Sequence, residues 1–206
     1  MELLEILKKE RVFAIVGSKH TGKSTALFNF IEVVKKAKNN FCFCYHQETK
    51  NKLTLKYKNL RFFDTLEEFE QIHDSFIFID EFHQLFKTED RHKDKLSSLK
   101  HTFNQLEHNN NIVVICGTTE YYNKLVCSFI PDNNYILCKV LFKDFVNGSK
   151  IKDYVLNLGT DLRGGTLFNI PLGKIFYKGV LLDIIYDKTT DKKSNRYNLF
   201  EGLKWV

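Results

Sequence analysis

The chain has 206 residues, 43% hydrophobic and 27% charged, with a formal net charge of +6. That length suits one α/β domain with a full core, and the balance excludes a disordered polyelectrolyte. The modest positive charge permits contact with nucleic acid without demanding it. No apolar run approaches the roughly 20 residues of a membrane-spanning helix, so neither a membrane span nor a signal peptide is expected.

In chain order, residues 1–10 contain a short amphipathic pattern, with Leu3, Leu4, Ile6 and Leu7 apolar, which predicts an N-terminal helix. Val12 to Val16 is an apolar run that reads as a buried strand. It leads into Gly17-Ser18-Lys19-His20-Thr21-Gly22-Lys23-Ser24, which fits G-x-x-x-x-G-K-[ST] at every required position. A helical pattern follows from Ser24 to Lys38. Strand, glycine loop and helix in that order make a phosphate-binding loop. The glycines let the backbone curl so that N–H groups converge, and the positive end of the helix adds to their pull. The nucleotide-binding residues are therefore Gly17, Ser18, Lys19, His20, Thr21, Gly22, Lys23, Ser24 and Thr25. Lys23 would neutralise phosphate charge, and the Ser24 hydroxyl would ligate Mg²⁺ beside ATP.

Phe41 to Tyr45 predicts a second strand. Residues 47–60 are polar, and the alternation Leu53-Thr54-Leu55-Lys56-Tyr57 predicts an edge strand. Arg61 to Phe63 is a short strand, and Asp64 is the expected cap of a helix from Thr65 to His73. Phe76-Ile77-Phe78-Ile79 is a buried parallel strand by its unbroken apolarity, and it ends in Asp80-Glu81. Carboxyl ends of parallel strands are where α/β sheets hold ligands. Asp80 would bind Mg²⁺, directly or through water, and Glu81 would act as general base on the attacking water. Residues 82–108 are helical in character around a charged run, Lys87 to Lys95. Ile112 to Cys116 is a further strand, and Gly117-Thr118-Thr119 at its end supplies a γ-phosphate sensor, Thr118 or Thr119. The same threonines would equally serve as caps of a following helix.

Asn134 to Phe142 predicts a further strand. After it, Thr166 to Ile170, Lys174 to Tyr177 and Val180 to Tyr186 read as short strands. Tyr177-Lys178-Gly179-Val180 reads as a tight turn between the last two. The expected fold is an α/β P-loop NTPase with a mainly parallel central sheet flanked by helices and a C-terminal antiparallel hairpin extension. One domain spans residues 1–206, with 160–206 forming the extension and a basic tail. The cysteines Cys42, Cys44, Cys116, Cys127 and Cys138 lack zinc-ribbon spacing and suit a reducing compartment.

With both phosphate motifs placed, the chain resembles an additional-strand P-loop ATPase of the HerA/FtsK superfamily. Within it, the likeness is to the small genome-packaging ATPases of double-stranded DNA viruses. The resemblance rests on Gly17 to Ser24, on Ile79-Asp80-Glu81 and on Asn111 to Thr119. It continues through Phe129 to Leu137 and through Leu172 to Tyr177. It implies ATP hydrolysis coupled to translocation of double-stranded DNA. It further implies a homo-oligomeric ring, capsid vertex proteins as partners, and a place in the host cytoplasm or the virion. Catalytic roles then fall to Lys23, Glu81 and Thr119, and metal binding to Ser24 and Asp80.

The sensor strand departs from the superfamily, carrying Thr119 where members have Gln and His108 where they have Arg. The arginines are Arg11, Arg61, Arg91, Arg163 and Arg196, of which Arg163, before Gly164-Gly165, is the candidate to reach a neighbour's phosphate. Lys50 to Lys58 and Lys87 to Lys95 are the candidate DNA-contacting segments. The rival readings are a nucleoside kinase of the thymidine kinase type, which shares the loop and the Asp-Glu strand, and a nucleotide-dependent switch.

Overall fold

The computed structural model describes residues 11–36, 39–85, 101, 108–118, 130–131, 134–138, 170, 174–177 and 180–183. The strands are β1 (Val12–Gly17), β2 (Asn40–Cys44), β3 (Leu60–Phe62), β4 (Phe76–Asp80), β5 (Ile112–Thr118), β6 (Tyr135–Leu137), β7 (Lys174–Tyr177) and β8 (Val180–Asp183). The helices are α1 (Lys23–Val34), α2 (Gln47–Lys56), α3 (Leu66–Glu70) and α4 (Phe82–Leu85).

All eight strands form one sheet in the order β3-β2-β4-β5-β1-β6-β7-β8. The first six run parallel. β7 pairs antiparallel with β6, and β8 antiparallel with β7 through Tyr177↔Val180. This is the expected P-loop NTPase architecture with its antiparallel extension. The loop-bearing β1 and the acidic β4 are not neighbours, because β5 lies between them, pairing Ile15↔Cys116 on one side and Ile79↔Ile115 on the other.

The unbroken apolar strands follow from burial on both faces. Alternate residues point to opposite sides. Phe13, Ile15, Phe78 and Val114 pack with Leu27 and Ile31 of α1. Ala14, Val16, Ile77, Ile79 and Ile115 pack with Phe69 of α3 and Phe82 of α4.

Three sequence expectations change. Residues 53–57 are not an edge strand but the end of α2 and its cap. Leu53 and Tyr57 are buried four residues apart while Leu55 is 85% exposed, so the burial has a helical period. The cap of α3 is Thr65, whose hydroxyl accepts from the Glu68 N–H, while the Glu68 carboxylate accepts from the Asp64 N–H. Asp64 instead pairs with Lys50. Helix α1 stops at Val34, whose carbonyl accepts from the Asn40 side chain at the start of β2. The expected helix at 1–10 and strand at 166–170, the charged run 87–95 and the basic tail lie outside the described residues, Ile170 alone excepted.

Candidate nucleotide site

The loop after β1 is shaped by residues that accept left-handed backbone. Gly22, the N-cap of α1, has φ 95°, and His20 has φ 62°. A Cβ at position 22 would both strain the backbone and intrude into the cradle. No side chain caps α1, and no acidic residue occupies its first turn. Its N-terminal N–H groups and their partial positive charge are left for an anion.

Inside the loop the Ser18 carbonyl accepts from the Thr21 hydroxyl and from Lys23 Nζ, both at 2.7 Å. Lys23 is buried although charged. Its ammonium is thus held by a backbone oxygen at the base of the cradle, in a position to exchange that partner for a phosphate oxygen.

Across β5, Ser24 Oγ donates to Asp80 Oδ1 at 2.9 Å. This contact joins the two sequence motifs. Asp80 is almost fully buried. Burial raises its pKa, and the Glu81 charge raises it further; hydrogen bonds from Ser24 and Cys116 and the charge of Lys23 act the other way. A carboxylate short of positive charge and already touching a hydroxyl is a fitting donor set for Mg²⁺. That ion takes one or two protein oxygens and fills its remaining positions with phosphate and water. Among the described residues no group of three or more His, Cys, Asp or Glu is placed to hold a metal by itself. Cys42, Cys44, Cys116 and Cys138 are buried and in no disulfide. Cys127 lies outside the described residues.

Glu81 has φ 52°, a left-handed conformation that costs a residue with a Cβ about 1 kcal/mol. The strained turn ends β4 abruptly and brings Glu81 to the wall of a cavity of about 520 Å³. Lys19 to Thr25 form one side of that cavity. Tyr45, His46, Glu81, His83, Gln84 and Thr118 form the rest. Lys19 to Thr25 of the predicted loop are therefore together with Glu81, while Gly17, the end of β1, and Ser18 do not line the cavity. Ser18 and Asp80 are buried and do not line it, whereas Thr118 is buried and does. Thr119 lies outside the described residues, as do Arg91, Arg163 and Arg196. Arg61 is on the edge strand β3, over the Phe41 ring.

Sequence reasoning missed Tyr45, His46, His83 and Gln84. Tyr45 and His46 stack edge to face at 5.2 Å where β2 ends beside β4. Their position after a strand neighbouring Asp80 was the available signal.

The model of the ATPase family associated with various cellular activities (AAA) matches residues 13–130, more than half the sequence. The chain belongs to the AAA family of ATPases. No curated protein matches it. Among solved structures, this AAA ATPase is similar in fold to the genome packaging NTPase B204 of Sulfolobus turreted icosahedral virus 2. In the ATP-gammaS complex the TM-score is 0.56 at 12% identity, over 84% of this chain and 96% of that one. In the AMPPCP complex the TM-score is 0.54 at 12% identity, over 85% and 96%. The cytoplasmic domain of the type VII secretion ATPase EccC of Thermomonospora curvata matches with a TM-score of 0.49 at 9% identity, over 67% and 20%. Among the described residues no helix is long and apolar enough to cross a membrane.

Proposed function

We propose that this AAA ATPase is a motor of the HerA/FtsK kind that hydrolyses ATP to move double-stranded DNA, and that its task is packaging a viral genome. The chemistry is carried by one observation, the 2.9 Å bond from Ser24 to Asp80 that closes the phosphate loop onto the acidic strand. In this reading the backbone N–H groups of 17–25 and Lys23 hold the phosphates, Ser24 and Asp80 hold Mg²⁺, and Glu81 takes the proton of the attacking water. Thr119, next to Thr118, senses the γ-phosphate. Bound Mg²⁺–ATP supplies a phosphoanhydride and a stabilised leaving group.

The task is supported by the sequence resemblance and by likeness in fold to a viral packaging NTPase along nearly all of that chain. A homo-oligomeric ring follows from the same reading, with residues 1–206 as one domain and Arg163 as the candidate trans-acting arginine. Double-stranded DNA and capsid vertex proteins are the partners, in the host cytoplasm or the virion. Lys50 to Lys58, on and after α2, and Lys87 to Lys95 are the candidate DNA contacts.

The test is ATP turnover with and without double-stranded DNA at low and high salt, beside a mass measurement of the assembly. DNA should raise the rate, and salt should weaken the effect, because phosphate contacts release counterions. An oligomer whose rate no DNA alters would remove the motor. Stimulation by thymidine instead would favour the kinase.

A further inference from the structure

Two residues beyond Glu81, the one-turn helix α4 places an imidazole against the proposed base. His83 Nδ1 stands 3.4 Å from Glu81 Oε2. On its other side, His83 Nε2 is 3.0 Å from the carboxamide nitrogen of Gln84. A carboxamide nitrogen has only protons to offer, so with it against Nε2 a neutral imidazole carries its ring proton on Nδ1. Nδ1 is the ring nitrogen on the Glu81 side. The order amide, imidazole, carboxylate has a direction: with the Gln84 amide nitrogen against Nε2, the tautomer that suits it puts its donor on the Glu81 side.

The turn beneath these groups is anchored in the core. Phe82 is buried in the core, and its ring meets the His83 ring edge to face at 6.3 Å. The Gln84 backbone N–H donates to the Glu81 carbonyl at 2.8 Å, closing the turn. The left-handed backbone at Glu81 swings its carboxylate to the cavity that His83 and Gln84 also line. At 3.4 Å the Nδ1–Oε2 contact is longer than a closed hydrogen bond, and such contacts shorten when substrate enters.

We propose that His83 is the positioning residue for Glu81. Its Nδ1–H donates to Oε2 and leaves Oε1 turned to the water that attacks the terminal phosphate. This inference rests on the reading of Glu81 as base. A base held by one of its two oxygens keeps one rotamer, and a misplacement of about 1 Å at such a group costs on the order of 100-fold in rate.

The experiment compares His83→Ala, His83→Asn, His83→Gln and Glu81→Gln in steady-state ATP turnover, with nucleotide affinity and thermal unfolding measured on each. The Asn side-chain nitrogen falls where Nδ1 does and the Gln nitrogen where Nε2 does, so only Asn restores the donor. His83→Ala should lower kcat by about 10- to 100-fold with KM within about threefold of wild type. His83→Asn should recover most of the rate and His83→Gln should not. Should His83→Ala fail to fold, the Asn and Gln pair decides. Equal rates for Asn and Gln, or a wild-type kcat in His83→Ala while Glu81→Gln is inactive, would overturn the role of His83. Wild-type turnover in Glu81→Gln would instead overturn the assignment of the base.

Discussion

The two ends of the same parallel strands hold their buried polar groups in different ways. At the amino ends, side chains lock onto backbone. Asn111 donates to the Ile72 carbonyl at 2.6 Å and accepts from the Ser75 N–H at 3.1 Å, Asn134 donates to the Val12 carbonyl at 2.9 Å, and Asn40 donates to the Val34 carbonyl at 3.0 Å. At the carboxyl ends, Ser24 bonds to Asp80, Lys23 to a loop carbonyl, and Glu81 sits in strained backbone beside a histidine. The first set ties loops and a helix end to one another and to β1 and β2. The second consists of groups whose present partners a phosphate or a cation can replace. Burial alone therefore does not separate structure from function here; the identity of the partner does.

The comparison breaks most sharply at Lys23. Lys23→Ala should reduce ATP turnover by at least about 100-fold while moving the unfolding midpoint little, because it removes a charge aimed at a ligand. Coupled turnover and thermal melts check this. The counterpart at the other end is Asn111→Ala. It strands a buried N–H and a buried carbonyl, so it should cost about 2–3 kcal/mol in denaturant unfolding and leave the rate per folded molecule unchanged.

A smaller effect is expected where α1 meets the end of α2. Tyr57 donates its phenolic hydrogen to Glu32 Oε2 at 2.7 Å. Burial works to raise the Glu32 pKa, yet the hydrogen bonds from Lys35 and Tyr57 and the charges of Lys35 and Lys56 together bring it below the usual carboxylate range. Burial, then the bond to Glu32, raises the Tyr57 pKa. Tyr57→Phe should cost about 1–2 kcal/mol at pH 7. The Glu32 contribution is present above its ordinary pKa and is lost as pH falls through its lowered folded value. The Tyr57 contribution is full below about pH 10 and is lost as pH rises toward its raised folded value. The Tyr57→Phe deficit should therefore fade as pH falls below the usual carboxylate range, measured by urea unfolding.

The smallest expected signal is chemical. Burial pushes the Cys44 and Cys138 thiols up to about 12, with the Asp80 charge adding to the effect at Cys44. At pH 8 only about one molecule in 10⁴ then carries the reactive thiolate at either position. Iodoacetamide should label neither in the native protein and both in urea, read by peptide mass.

Much of this was legible in the sequence because the requirements are local. A phosphate loop needs its glycines, lysine and serine at fixed spacing, and a fully buried parallel strand needs an unbroken apolar run before its ligand-facing end. What sequence did not disclose depends on tertiary placement. Leu53-Thr54-Leu55-Lys56-Tyr57 alternates as a strand would, yet the molecule buries only Leu53 and Tyr57 of it. His83 belongs to no spacing rule and gains its meaning only because Glu81 turns left-handed at the end of β4. Tyr45 and His46 join the cavity through the pairing of β2 with β4, which residue order alone does not specify.

The central claim is that the glycine loop and the Asp80 strand form one metal–nucleotide site. Its most direct test is ATP affinity with and without Mg²⁺ in wild type and in Asp80→Asn. Mg²⁺ should tighten ATP binding to the wild type by about 10-fold or more and have little effect on the variant. An equal gain from Mg²⁺ in both proteins would contradict the account.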